Sequence, residues 1–378
     1  MKQPKILFLV VVIVVLLPLT LISCISGRTQ LARGWSGTIV HDGIVYVGTV
    51  DGRVVAVNSS TQSQQWSYSI DPPATIYTTP LVNGDLVYIG TYSGQVYALT
   101  IIEGTDRWVY PRSGSIGSIV GSPVIANETI YVSSSDGMLY ALDTKYGDFK
   151  WKSEPLANKL WTSPTVTGDT LYASTFDGNI YAVSAETGTL LDWAFELEAG
   201  FASTPVIYED IIYVGSFDRH LYAVEIGSDT PMWKFPEEKP ADNWFWAAPI
   251  VNEGIVYAGC LDGRVYVIDA ESGEELWQFE SSDTQGKLVP IVSSPVLMDN
   301  LLIVVDESGA VYVFDLSTEL EDEAVPLKAI SIGDDVDVKS SFCAQEGLVY
   351  IRDEDNWIHV VDIDKGEVSW KVSLTVEE

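Results

Sequence analysis

The chain has 378 residues, 20% charged and 11% aromatic with 12 Trp and 19 Tyr, a composition that supports a large packed core and excludes an intrinsically disordered polymer. Its formal net charge of −32 repels a phosphate backbone over most of any surface, which excludes general nucleic-acid binding. The acids are spread along the chain apart from one short block at 319–323, so they read first as a solvated surface.

The first 24 residues carry the most specific single signal. Lys2 and Lys5 precede an apolar run from Ile6 to Ile22, the charged and hydrophobic regions of an export signal. The run ends in Leu21-Ile22-Ser23-Cys24, which resembles the bacterial lipobox: a Leu three residues before the Cys, a small residue directly before it, and a thiol to accept the diacylglycerol. On this reading residues 1–23 are a lipoprotein signal peptide, Cys24 is the lipidation site, and residues 24–35 are a lipidated tether. An uncleaved transmembrane anchor is the alternative, because about 17 apolar residues lie at the short end of what spans a bilayer. Either reading makes the rest of the chain extracytoplasmic and membrane-anchored.

From residue 36 onward the sequence repeats. The Tyr of a recurring Val-Tyr-x-Gly phrase is followed nine residues later by a second aromatic or equivalent position: Tyr46/Val55, Tyr88/Tyr97, Tyr131/Tyr140, Tyr172/Tyr181, Tyr213/Tyr222, Tyr257/Tyr266, Ile303/Tyr312 and Tyr350/His359. A Trp closes each unit except the seventh, at Trp66, Trp108, Trp151, Trp193, Trp233, Trp277 and Trp370. A Ser/Thr-x-Pro-like phrase opens the units at Pro80, Pro123, Pro164, Pro205, Pro249 and Pro295, with Thr38 and Phe342 at the matching places of the first and last. The mean period of about 43 residues belongs to propellers.

Within the sixth unit, strands are expected up to Val251, from Ile255 to Gly259 with an alternating pattern, from Arg264 to Asp269 and from Glu274 to Phe279. Asp262-Gly263 and Ser272-Gly273 supply hairpin turns, since Gly takes positive φ without penalty. Asp51-Gly52, Asp136-Gly137 and Asp177-Gly178 recur at the first of these turns, so their acids read as turn formers rather than ligands. The expected fold is all-β: an eight-bladed β-propeller of four-stranded antiparallel blades over residues 36–374, with an acidic tail at 375–378; seven blades or an open arc are the alternatives. Closure of the ring is left open between lateral contact of the end blades and completion of the last sheet by residues 30–36. The repeat absorbs 13 of the 19 tyrosines and 7 of the 12 tryptophans, so aromatic richness alone does not indicate a ligand.

The connections between units should gather on one face. The one over 237–246 is long and contains Trp244-Phe245-Trp246, and the place three residues before the Pro is aromatic again at Tyr77 and Trp161. These five residues, Tyr77, Trp161, Trp244, Phe245 and Trp246, are the candidate partner-binding face, with a channel plug or packing between blades as the alternative. Cys260 and Cys343 are expected as two separate buried thiols, and His41, His220 and His359 are too far apart in sequence for a zinc-type spacing.

The composite phrase Ser-Pro-x-Val, Val-Tyr-x-Gly-x-x-Asp-Gly-x-Val-Tyr-Ala-Leu-Asp, Gly, Trp is clearest at 122–151 and 248–277 and resembles the PQQ-binding-like propeller repeat. Two branches of that family matter. Resemblance to the quinoprotein dehydrogenases would imply a catalytic Asp, a calcium ion held by carboxylate and amide oxygens, and an adjacent Cys-Cys pair over the quinone. This chain has no adjacent cysteines, and its one calcium-like string, Asp353-Glu354-Asp355-Asn356, falls where other units place the Asp-Gly turn. Resemblance to the BamB-like lipoproteins fits length, anchor and unit number, and implies a non-enzymatic interaction scaffold in the cell envelope. Its partners would be envelope proteins or peptides, a barrel-assembly machine among them, with membrane attachment through lipid at Cys24. No cofactor is expected on that reading; PQQ and calcium belong to the enzyme alternative, and an envelope sensor or ligand-binding propeller is the other. Ile25 is not the Asp that retains lipoproteins at the inner membrane of enteric bacteria, so it permits transfer to an outer membrane.

Overall fold

Each repeat becomes one antiparallel sheet whose strands lie side by side in chain order. In the first, these are β1 (Thr38–His41), β2 (Ile44–Gly48), β3 (Arg53–Asn58) and β4 (Ser63–Ser69). Seven more sheets repeat the pattern over 81–110, 124–152, 165–196, 206–235, 250–280, 296–331 and 343–373. These are the eight blades of a β-propeller, seen in a computed structural model that describes residues 36–317 and 325–375. Cys24 with the rest of 1–35, the acid block at 319–323 and the last three residues lie outside the described residues, which contain no helix.

The sixth blade shows how closely the turn residues fix the strands: Ile250–Asn252, Ile255–Gly259, Arg264–Asp269 and Glu275–Glu280. One expectation is corrected there. The second strand does not alternate between core and solvent, because Val256 to Gly259 are all buried. Neighbouring blades cover both faces of the second and third strands, which therefore carry near-continuous apolar runs such as Leu-Val-Tyr-Ile-Gly at 86–90. The fourth strand faces solvent on one side and is exposed except for its Trp, as in Phe149–Lys152.

The recurrent Trp locks one blade to the next. Gly147 lies in the turn before the fourth strand of the third blade with φ +68°, and a Cβ there would stand 2.4 Å from the Trp108 ring of the second. The same holds for Gly104 on Trp66, Gly188 on Trp151 and Gly273 on Trp233. Glycine is thus required twice, for the left-handed backbone and for the flat seat of the indole. One carbonyl beside that seat accepts two hydrogen bonds from the preceding blade. Thr144 O takes Trp108 Nε1 at 2.9 Å and the Tyr88 hydroxyl at 3.1 Å, and Ala270 O takes Trp233 Nε1 at 2.9 Å and the Tyr213 hydroxyl at 3.2 Å. The Tyr and Trp of the repeat are therefore seam residues.

Among the described residues three seams depart from this pattern. Between the fourth and fifth blades no glycine seats the indole: a Cβ on Gly227 meets nothing within 4 Å, and the partly buried Trp193 donates its Nε1 proton to Ser228 O at 2.9 Å. In the seventh blade Lys328 pairs with Val313, as Trp151 pairs with Ala141 in the third, and its ammonium donates to the carbonyls of Ile363 and Asp364 in the eighth blade. A lysine stem and head thus replace the indole and its N–H. At the closing seam Gln62 (φ 55°) takes the glycine's place and Trp370 is only partly buried. The apolar contact between the eighth and first blades is valine-rich, with Val45, Val47, Val55 and Val57 of the first against Tyr350, Ile358, Val360 and Leu374 of the eighth. Polar bonds add to it: Thr38 N to Ser341 O at 3.2 Å, Thr38 Oγ1 to Tyr350 O at 2.7 Å, and Arg53 Nη2 to Leu374 O. Lateral contact closes the described ring, and the last blade draws all four of its strands from its own repeat.

Candidate functional site at the mouth of the ring

Antiparallel order puts the turns between second and third strands on the same face as the connections between blades. Each connection ends in three residues with distinct tasks. In the first, second and fifth blades the residue two before the Pro position is a hydroxyl residue that caps the second strand: Ser36 Oγ accepts Gly48 N at 2.9 Å, Thr78 Oγ1 accepts Gly90 N at 3.1 Å and Ser203 Oγ accepts Gly215 N at 2.8 Å. The residue one before the Pro faces the axis, where small side chains give a hydroxyl-rich throat; Ser122 Oγ accepts Thr79 N at 2.9 Å and keeps its own proton to donate. The residue three before the Pro stands at the rim of the throat. Around the ring this place is held by Tyr77, Val120, Trp161, Ala202, Trp246, Val292 and Lys339, all lining one open cavity of about 400 Å³.

Counting back three residues from each Pro therefore does converge on one mouth. Of the five residues expected there, Tyr77, Trp161 and Trp246 line the cavity. Trp244 is 40% exposed on the same face, beside the cavity rather than in its wall. Phe245 is a correction: it is fully buried, its ring 5.6 Å from Tyr266 and 6.5 Å from Phe235 in the seam between the fifth and sixth blades. Of three consecutive aromatics, the middle one turns into the core.

Three further aromatics belong to the mouth and escaped the sequence reading. Tyr92, Phe176 and Phe217 each stand two residues after the glycine or serine that ends a second strand. Ring contacts run from Trp161 to Phe176 (5.2 Å), on to Phe217 (5.0 Å), and from there to Trp244 (5.5 Å) and Trp246 (6.3 Å). This makes a continuous aromatic arc across the fourth, fifth and sixth blades. Tyr77 and Tyr92 form a separate pair at 5.3 Å, and Lys159 lies over Trp161. Trp161, Phe176 and Tyr92 are 40 to 45% exposed, so large apolar rings face solvent together.

The opposite side of the mouth is charged. Lys339 Nζ lies 2.8 Å from Asp337, 3.3 Å from Glu354 and 3.6 Å from Glu307. Burial lowers its affinity for a proton, but the Asp337 and Glu354 carboxylates outweigh that and hold the ammonium above its ordinary range.

The turn acids are turn formers with a second task. Asp136 Oδ1 accepts Met138 N at 3.1 Å while Oδ2 accepts the Tyr140 hydroxyl at 2.7 Å, and Asp262 does the same for Arg264 N and Tyr266. In the last two blades the acid stands two places earlier: Asp306 meets Tyr312 and Asp353 meets His359 Nε2 at 2.8 Å. The calcium-like string is spent in the same way. Asp353 gives one oxygen to Trp357 N and the other to His359, Asn356 Oδ1 accepts from Arg352, and Glu354 pairs with Lys339. These oxygens do not converge, and no group of three or more His, Cys, Asp or Glu among the described residues could hold a metal ion. That donor set does not fit the calcium of a quinoprotein. Cys260 and Cys343 are free thiols in different blades, both pushed up in pKa by burial, Cys343 to about 11.

Comparison with known proteins gives the architecture a lineage. The family model described as outer membrane protein assembly factor BamB matches residues 26–234 and again 150–372. No curated protein matches. Among solved structures, BamB from Moraxella catarrhalis superposes with a TM-score of 0.66 at 18% identity, over 88% of this chain and 96% of that one. The computationally designed Ika8 protein superposes with a TM-score of 0.69 at 15% identity, over 87% and 96%. Identities this low carry the fold alone, whereas the two overlapping family matches span nearly the whole ring. The chain belongs to the BamB family of PQQ-like repeat propellers.

Proposed function

We propose that this chain is an extracytoplasmic lipoprotein, anchored at Cys24, that acts as a non-enzymatic scaffold of the cell envelope and holds a partner polypeptide at its mouth. Family membership supports a role in outer-membrane protein assembly where the source cell has an outer membrane. The observation that carries the binding site is the aromatic arc of Trp161, Phe176, Phe217, Trp244 and Trp246 on a rigid ring, exposed at Trp161, Phe176 and Trp244. Rings fixed by packing supply apolar contact at low entropic cost, and the neighbouring hydroxyls and charges set orientation. The quinoprotein alternative lacks a fitting metal set and an adjacent cysteine pair.

A photo-crosslinking amino acid at position 244 in intact cells tests the reading. The expected result is an adduct with one envelope polypeptide, a barrel-insertion subunit where such a machine exists, that disappears when Trp161 and Phe176 are replaced by Ala. Absence of any adduct, or one indifferent to those replacements, overturns the binding site. Cys24→Ala should leave the precursor unprocessed or release the protein; unchanged processing and attachment overturns the lipid anchor.

A further inference from the structure

The described part of the chain begins at the mouth. Ser36, the first described residue, is buried in the strand-capping rank: its hydroxyl donates to Thr78 O at 2.8 Å and accepts Gly48 N at 2.9 Å. Next to it, a Cβ on Gly37 would stand 2.5 Å from Thr79 Oγ1 and 2.9 Å from Ser341 Cβ, both in residues that line the cavity. The first described residues therefore lie on the mouth face, at the inner strand, and not at the outer edge or the opposite face.

The tether is short. Residues 25–35 alone separate Cys24 from Ser36, and fully extended they span about 40 Å. Strand spacing of about 4.8 Å, with side chains, makes a four-stranded blade roughly 20 Å from axis side to edge, and five-residue strands with their turns make it roughly 25 Å deep. Turning the opposite face to the membrane would use roughly 45 Å of tether merely to pass around a blade. The tether also carries Arg28 and Arg33 and no acid, in a chain of net charge −32, so its own charge favours anionic headgroups while the blades are repelled by them.

Resting on the lipid-anchor reading of Cys24, we propose that the mouth faces the bilayer and that the polypeptide segment it takes lies within about 40 Å of the membrane surface. The aromatic arc is then a reader of membrane-proximal chain, and the turns of the opposite face point away into the aqueous compartment.

The test uses the lipidated full chain in vesicles of phosphatidylethanolamine and phosphatidylglycerol that contain an energy-accepting lipid dye. In a Cys343→Ser background a donor dye is placed at Trp244→Cys on the mouth face or at Thr167→Cys on the opposite face. At least threefold stronger quenching at position 244 is expected; equal or reversed quenching overturns the orientation. Inserting 24 Gly/Ser residues after Gly34 should level the two positions and lower the cellular adduct from position 244 about tenfold. A preference that survives the insertion means that the mouth grips lipid itself, and an unchanged adduct removes the reach limit; either overturns the proposal. Failure of the anchor reads differently: with Cys24→Ala, persistent quenching at both positions overturns lipidation, while the contrast between the two dyes still judges the orientation.

Discussion

At four seams the repeat sets the same side chains in the same place, an indole on a left-handed glycine with its N–H on a carbonyl of the next blade, and at three of them a tyrosine hydroxyl shares that carbonyl. At the mouth a single repeat position holds Tyr77, Val120, Trp161, Ala202, Trp246, Val292 and Lys339. Both positions recur with the same period, so the period alone does not explain the difference. The seam residue is fixed by what it touches, because a smaller side chain leaves a cavity and a Cβ on the glycine meets the ring. The rim residue touches open space and is released from that constraint. Eight blades compared with one another thus separate what packing dictates from what something else has chosen.

The largest test of this contrast is at a seam. Trp151→Ala should lower stability by about 3–5 kcal/mol, read as the midpoint of chemical unfolding, because it empties the seat between the third and fourth blades. A cost under about 1 kcal/mol would break the claim that seams carry the ring. Alkaline pH probes all seams together. Burial pushes the seam tyrosines up, Tyr88 and Tyr213 to about 12. Between pH 10 and 12 the unfolded chain has released protons that the folded chain keeps, so stability must fall as pH rises through that window. The seam tyrosines' share of the tyrosinate absorbance, over that of exposed Tyr92 and Tyr146, should appear together with loss of sheet signal by circular dichroism, not ahead of it.

Smaller effects sharpen the comparison. Gly147→Ala forces a Cβ against the Trp108 ring at positive φ and should cost about 1–3 kcal/mol, whereas Gly168→Ala, with nothing within 4 Å of its Cβ, should cost only the backbone strain of about 1 kcal/mol. Lys328→Met keeps the stem and removes the ammonium, and should cost about 1–2 kcal/mol by leaving the Ile363 carbonyl without that donor. Smallest in stability is the mouth: Trp161→Ala should change the unfolding midpoint by under about 1 kcal/mol while abolishing the adduct from position 244. A large loss of stability there would return Trp161 to the structural class.

The sequence read well wherever a side chain's task was tied to the period. Trp161 and Trp246 were found by counting from Pro164 and Pro249, because the proline marks where the inner strand begins. Phe245 was misplaced because three aromatics in a row carry no sign of which points inward. Phe176 and Phe217 were missed for a related reason: their turn position holds Val50, Ser135, Leu261, Glu307 and Glu354 in other blades, so its residue type has no period. Lys328 carries no such signal, because the geometry there asks only for an apolar stem and a donor, and a lysine breaks the aromatic pattern of the repeat. Closure was undecidable since it depends on Arg53, Gln62 and Val-rich packing, not on a motif.

Every blade is cut from one uninterrupted stretch of chain, the eighth included. A gene for such a ring can gain or lose a blade by one unequal exchange between equivalent points of neighbouring repeats, with no strand left orphaned in a partner sheet. Propellers that borrow a strand across the closure are denied that route at their ends. Blade number here is open to change by counting, and the valine seam between last and first blade is where a new count would have to be made to fit.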